Sequence, residues 1–185
     1  SIMKKLLFAS IMFATVCFSS VANAQTRSLV VYFSHSGNTE SVAQQIKTFT
    51  GADILEIIPE KAYPEDYQSV VDQAKAEINA GIKPAIKPCI TDIAQYDTVF
   101  IGSPCWWATI APPVATFLSE HNLSGKTIVP FMTHEGSRMG HSEKEIRELC
   151  PESVLLQGLP IRGSKARQAA PEIKKWLQEI GVTQH

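Results

Sequence analysis

A three-layer α/β sandwich around a five-stranded parallel sheet is predicted by three features of the sequence. Apolar runs too continuous for a half-solvated strand recur along the chain. Stretches with helical apolar spacing separate them. No repeat, low-complexity segment or linker divides the alternation. Strand-then-helix alternation of this kind builds a parallel sheet with helices on both faces.

The first 24 residues stand apart from that pattern. Lys4 and Lys5 form a short basic region, "LLFASIMFATVCF" is an apolar core, and "ANA" (Ala22–Ala24) supplies the small residues of a cleavage site. A signal peptide over 1–24 is therefore expected, with a single domain over 25–185. Ser1 and Ile2 precede Met3. The protein is expected to be exported by a Sec-type route, periplasmic or secreted, with no membrane attachment once the leader is removed. A retained N-terminal anchor is the competing reading, although the apolar stretch is short for a span.

Charge narrows the classes further. The whole chain carries a formal −1, and removing the leader leaves 15 basic against 18 acidic side chains. A basic stripe for nucleic acid is thus not expected. Cys89, Cys105 and Cys150 remain after the leader, an odd number, so at least one thiol stays unpaired. Spacing alone leaves a Cys89–Cys150 pairing open.

Taken in order, "LVVYF" (Leu29 to Phe33) is the first buried strand, and Val42, Ile46 and Phe49 stripe the helix after it. "ADILEII" (Ala52 to Ile58) is more mixed and suits a sheet edge. Tyr67, Val70, Val71, Ala74 and Ile78 mark a second helix with this stripe turned to the core. "TVFIG" (Thr98 to Gly102) is a third strand. Pro112 and Pro113 open a helix striped by Val114, Phe117 and Leu118, because a missing N–H costs nothing in the first turn. "TIVPFM" (Thr127 to Met132) and "SVLLQG" near Leu155 are the fourth and fifth strands. Ile173, Trp176, Leu177 and Ile180 close the chain as an amphipathic helix.

Ligands of such sheets bind beyond the carboxyl ends of the strands, which directs attention to three loops. Ser34-His35-Ser36-Gly37-Asn38-Thr39 lies between strand and helix, where free backbone N–H groups and the helix dipole favour an anion. Its hydroxyls and amide add neutral donors, and Gly37 permits close approach or a positive φ. Neither a nucleoside-triphosphate P-loop nor a Gly-x-Gly-x-x-Gly fingerprint is present. A phosphate monoester fits; a plain helix start capped by Asn38 or Ser36 is the alternative. "GSPCWWATIAPP" (Gly102 to Pro113) sets Trp106 and Trp107 side by side. Neighbouring side chains diverge in extended backbone, so one is expected to pack inward and the other to offer a flat stacking surface. "THEGSRMGHSE" (Thr133 to Glu143) can address a polar heterocycle edge, or is a long surface loop.

The three loops together resemble the phosphate loop and two ring-flanking loops of the flavodoxin family, on "FSHSGNTE", "GSPCWWATIAPPVATFL" and "PFMTHEGSRMG". The resemblance runs from about Leu29 to the C-terminal helix. It implies sheet order 2-1-3-4-5 and flavin mononucleotide (FMN) as cofactor. The phosphate would sit on Ser34, His35, Ser36, Gly37, Asn38 and Thr39. Pro104, Cys105, Trp106, Trp107 and Ala108 would flank the ring on one side and Thr133, His134, Glu135 and Gly136 on the other. Ala108 stands where the resemblance leads one to expect glycine. Cys105, beside the ring site, reads as packing or as a redox-sensitive thiol.

An FMN-binding redox protein follows, with an electron carrier favoured over an FMN-dependent NAD(P)H–quinone-type reductase. A redox partner protein or a small electron acceptor is the expected partner. A flavin-free binding module on the same scaffold is the reading from a different class. A hydrolase is disfavoured, since "GSRMG" and "SHSGN" both miss the Gly-x-Ser-x-Gly elbow.

Overall fold

The structure, a computed structural model, describes residues 27–90, 92–182 and 184. The predicted leader lies outside these residues. Strand β1 (Ser28–Tyr32) leads into helix α1 (Asn38–Thr50), then β2 (Asp53–Glu56) and α2 (Tyr67–Ala80). Next come β3 (Thr98–Trp106), β4 (Thr109–Ile110), α3 (Pro112–Glu120), β5 (Thr127–His134) and α4 (Ser142–Leu149). The chain continues through β6 (Val154–Leu155), β7 (Leu159–Arg162) and α5 (Ala170–Glu179). No described helix is long and apolar enough to cross a membrane.

β1, β3 and β5 read as continuous apolar runs because both of their faces are covered. Leu29, Val31, Ile101 and Ile128 pack with Val70 of α2, Val114 and Phe117 of α3 and Ile146 of α4. On the other face, Val30, Phe100, Val129 and Phe131 pack with Val42 and Ile46 of α1 and Ile173, Trp176 and Leu177 of α5. Successive strand residues thus serve opposite layers, as the pleat requires.

The sheet runs β2-β1-β3-β5-β6, all parallel along this path. This is the predicted 2-1-3-4-5 order of five strands once β4, a hairpin partner of β3, is set aside. The fifth position is interrupted. β6 pairs with Thr127 and Ile128, and β7 pairs with β5 from Phe131 to His134. β7 reads Leu-Pro-Ile-Arg, and Pro160 lacks an N–H, which an edge strand tolerates. The predicted edge character of β2 is also observed, with Asp53 and Glu56 exposed.

Other differences from the sequence expectations have local causes. Residues 133–143 do not form one loop: β5 extends to His134 and α4 begins at Ser142. Tyr67 does not join the α2 core stripe but is 81% exposed. It is the first residue of the helix, which Asp66 caps by accepting the Ser69 N–H at 2.9 Å. Cys89, Cys105 and Cys150 are all free.

Gly102 sits where β3 crosses the Phe131 ring of β5; a Cβ there would fall 2.2 Å from Phe131 Cζ. Gly102→Ala therefore overpacks the sheet centre and should cost about 1–3 kcal/mol. Urea unfolding should show a lower midpoint at unchanged slope; an unchanged midpoint would mean Phe131 repacks freely.

Candidate functional site

The carboxyl ends of β1, β3, β5 and β7 meet at one edge, and each predicted loop leaves from there. In the first, Phe33 N–H still donates to Gly102 O at 3.1 Å before the chain turns. Gly37 is the residue preceding α1, with φ of 92° and no side-chain cap. Neither Asn38 nor Ser36 is the cap: Asn38 opens the helix, and its N–H reaches Ser36 Oγ only at 3.5 Å. Ser34 Oγ accepts from Gly37 N–H at 3.1 Å and shapes the turn. The backbone N–H groups of Ser36, Thr39 and Glu40 find no acceptor among the described residues. That leaves a helix N-terminus with donors to spare, the feature anions bind.

Two residues of this loop turn elsewhere. Thr39 is buried and shares a 2.7 Å hydrogen bond with the Thr133 hydroxyl, tying the loop to the end of β5. In such a pair one hydroxyl donates and the other keeps a proton for a further acceptor. His35 reaches Pro64 O through Nε2 at 3.0 Å and stands edge-on to Trp106 at 5.9 Å. It braces the approach to α2.

The second loop is a hairpin, with Cys105 opposite Ile110 and Trp106 opposite Thr109. Its turn residues, Trp107 (φ 52°) and Ala108 (φ 62°), both lie in the left-handed region. Tight hairpins demand this, normally with Asn-Gly. Each non-glycine residue there costs on the order of 1 kcal/mol, so neighbours must hold the turn. Trp107 Nε1 donates to Val71 O of α2 at 3.0 Å, and His141 N–H donates to Ala108 O. Gly140 lies so close that a Cβ would fall 2.1 Å from Ala108 O. Ser103, fully buried, accepts from Ala111 N–H at 2.8 Å and anchors the start of α3.

The two tryptophans diverge as predicted. Trp106 turns in, edge-on to Phe33 at 5.4 Å and to Tyr63 at 5.0 Å, while Trp107 is 48% exposed. Beneath Trp106, Tyr63 donates its hydroxyl to the buried Glu77 carboxylate at 2.6 Å, and Gln73 Nε2 donates to the other oxygen at 2.9 Å. The sequence carries no local sign of this seat, because its partners are 14 positions apart.

In the third loop, Thr133 and His134 are buried at the end of β5, whereas Glu135 and Ser137 are exposed. A fourth loop, unforeseen from sequence, follows β7. Arg162 donates to Glu135 O at 2.7 Å. Gly163 leaves room beside it for Glu135 Oε1 and Asn38 Nδ2, which a Cβ would approach to 2.5 and 2.7 Å. The Glu135 carboxylate thus stands at the phosphate-loop end.

Burial, then Arg162 and Arg138, holds the His134 pKa below its ordinary value. Burial pushes the Cys105 thiol up, against a smaller opposing bond from Ser137. Cys105 is therefore a packed thiol at neutral pH, not a reactive thiolate.

These loops line one cavity of about 750 Å³. His35, Ser36 and Asn38 come from the first, Pro104 to Ala108 from the second, and Thr133, His134, Glu135 and Ser137 from the third. Ser34, Gly37, Thr39 and Gly136 shape the loops without lining it. Tyr67, Val70, Val71 and Ala74 add a wall from α2 that the sequence reading assigned to the core, and Glu65, just before that helix, joins it. Among the described residues, no three His, Cys, Asp or Glu side chains gather to hold a metal.

The Tyr63–Glu77 seat yields a pH prediction. Burial and then the Glu77 bond raise the folded phenol's pKa far above 10. Its contribution is thus complete below about pH 10, the unfolded value, and is lost as pH rises toward the folded one. Tyr63→Phe should cost about 1–3 kcal/mol at pH 7 by depriving a buried carboxylate of a donor. The gap to wild type should narrow above pH 10 in denaturation curves; a pH-independent gap would mean the hydroxyl bond contributes nothing.

The family model described as Flavodoxin matches residues 27–180. A solved structure of a candidate flavoprotein from Bacteroides eggerthii is 33% identical, covers 85% of this chain and 99% of its own, and superposes with a TM-score of 0.76. A second, from Bacteroides uniformis, is 27% identical over 83% of this chain and 98% of its own, with a TM-score of 0.74. A flavoprotein from Lactobacillus acidophilus, crystallised in complex with FMN, shares the fold at 24% identity and a TM-score of 0.67, over 82% of this chain and 98% of its own. With residues 27–180 matched and the predicted strand order and loops at one sheet edge, the chain belongs to the flavodoxin family.

Proposed function

We propose that the chain binds FMN and acts as an electron carrier, exchanging electrons with a redox partner protein or a small acceptor. The observation that carries this reading is the set of unaccepted N–H groups of Ser36, Thr39 and Glu40 at the start of α1, beside a cavity bearing Trp106 and Trp107. Backbone donors and the dipole suit a phosphate monoester, and the aromatic side suits a flat ring. The FMN bound by the Lactobacillus flavoprotein of the same fold supports the choice of ligand.

Ser34 to Thr39 would hold the phosphate, with Pro104 to Ala108 and Thr133 to Gly136 flanking the ring. FMN supplies reversible electron transfer; the chain orients it and sets the polarity around it. The acidic side chains lining the cavity are Glu65 and Glu135, and Arg162 is held beside the latter through the Glu135 carbonyl.

A reductase is the second reading, and α2 favours it. Val70, Val71 and Ala74 extend the cavity with an apolar wall, and the 81%-exposed Tyr67 stands at its rim. A small aromatic acceptor could lie there. The pure holoprotein separates the two: a carrier oxidises NAD(P)H negligibly, whereas rapid oxidation with turnover on quinones would make it a reductase.

Titrating apoprotein with FMN tests the cradle. A valine at φ of 92° is strained, and relief of that strain would pull the N–H groups at the start of α1 out of line. Gly37→Val should weaken FMN binding at least tenfold while the thermal transition persists. Unchanged affinity would move the cofactor elsewhere.

A further inference from the structure

We propose that His134 is a neutral imidazole with its proton on Nε2, and that this N–H donates to an acceptor atom of the ligand from the β5 side of the cavity. His134 ends β5 and is only 7% exposed. Its Nδ1 is sealed from solvent and has no hydrogen-bond partner. Nε2 has no partner among the described residues either, yet it is not one of the sealed atoms. His134 is one of the residues lining the cavity, and of its two ring nitrogens only Nε2 is not sealed.

The charge state follows from the surroundings. Arg162 of β7 and Arg138 of the third loop act on the ring with positive charge, and Glu135 alone opposes them. A second proton would set a buried cation beside two guanidinium groups. The ring is thus neutral, with one N–H and one lone pair to distribute. A buried N–H without an acceptor is among the rarest orphans in proteins, and an unused acceptor is better tolerated. The lone pair therefore goes to sealed Nδ1 and the proton to Nε2, where water or a ligand can accept it.

Such a donor selects carbonyl oxygens, unprotonated ring nitrogens and phosphoryl oxygens over ammonium or N–H groups. FMN carries all three acceptor types, so this half of the proposal rests on the flavin reading above. The tautomer is a property of the free protein and stands apart from it.

Long-range proton–nitrogen NMR of the apoprotein at neutral pH, with His134 assigned by its loss in His134→Gln, tests the tautomer. A pyrrole-type Nε2 and a pyridine-type Nδ1 are expected; the reverse pattern, or a doubly protonated ring, overturns it. FMN titration then compares two variants whose thermal transitions are checked first. His134→Gln, which keeps an N–H at similar reach, should bind within about threefold of wild type. His134→Leu, which fills the space without a donor, should bind on the order of tenfold more weakly. A leucine variant with wild-type affinity, or a glutamine variant as weak as leucine, overturns the donor role. Failure of wild type itself to bind FMN would remove the flavin reading and the ligand half together, while the spectrum still decides the tautomer.

Discussion

Strand β3 is paired along both edges, to β1 from Thr98 to Gly102 and to β5 from Thr98 to Pro104. Everything at the candidate site depends on that double pairing. With both edges occupied and both faces covered, β3 cannot shift register without exposing Phe100 or Ile101 to the wrong layer. Its end is therefore fixed relative to the ends of β1 and β5. Three irregular loops can then converge on one edge, because backbone that leaves a parallel sheet needs an exit with access to other partners.

The loops are joined by few bonds, each with a distinct task. The buried Thr39–Thr133 hydroxyl pair couples the start of α1 to the end of β5. Trp107 Nε1 and Ala108 O hold a strained turn against α2 and the residues before α4. Tyr63 and Glu77 seat Trp106 from below. Strain of this kind survives where the surrounding structure overdetermines it, and it gathers at binding sites. The tryptophan turn fits that description, as α2 and the residues before α4 together fix two residues of positive φ.

Much of this was legible from sequence, for reasons specific to each element. β1, β3 and β5 are doubly covered, so their apolar runs are unbroken; α5 has a solvated face, so its stripe is clear. α4 was missed because "SEKEIREL" offers only Ile146 and Leu149 as apolar positions in eight residues. β7 was hidden by Pro160, which is acceptable only at an edge that sequence does not reveal. The Trp107–Ala108 turn lacks the Asn-Gly signal because contacts distant in sequence supply what glycine normally provides. At the site, the loop residues announced themselves through glycine and hydroxyl spacing. The α2 wall did not, since Val70, Val71 and Ala74 serve the cavity with the same side-chain types that build a core. His134 and Gly163 depend on strand ends and close approaches that only the folded chain defines.

The central claim is that uncapped N–H groups at the start of α1 hold a phosphate. Calorimetric titration of the apoprotein with FMN and, in parallel, riboflavin tests it most directly, because the two ligands differ only in that group. The account predicts FMN binding at least a hundredfold tighter, about 3 kcal/mol, lost when inorganic phosphate competes at high concentration. Equal affinities for the two ligands, or no binding of either, would contradict it.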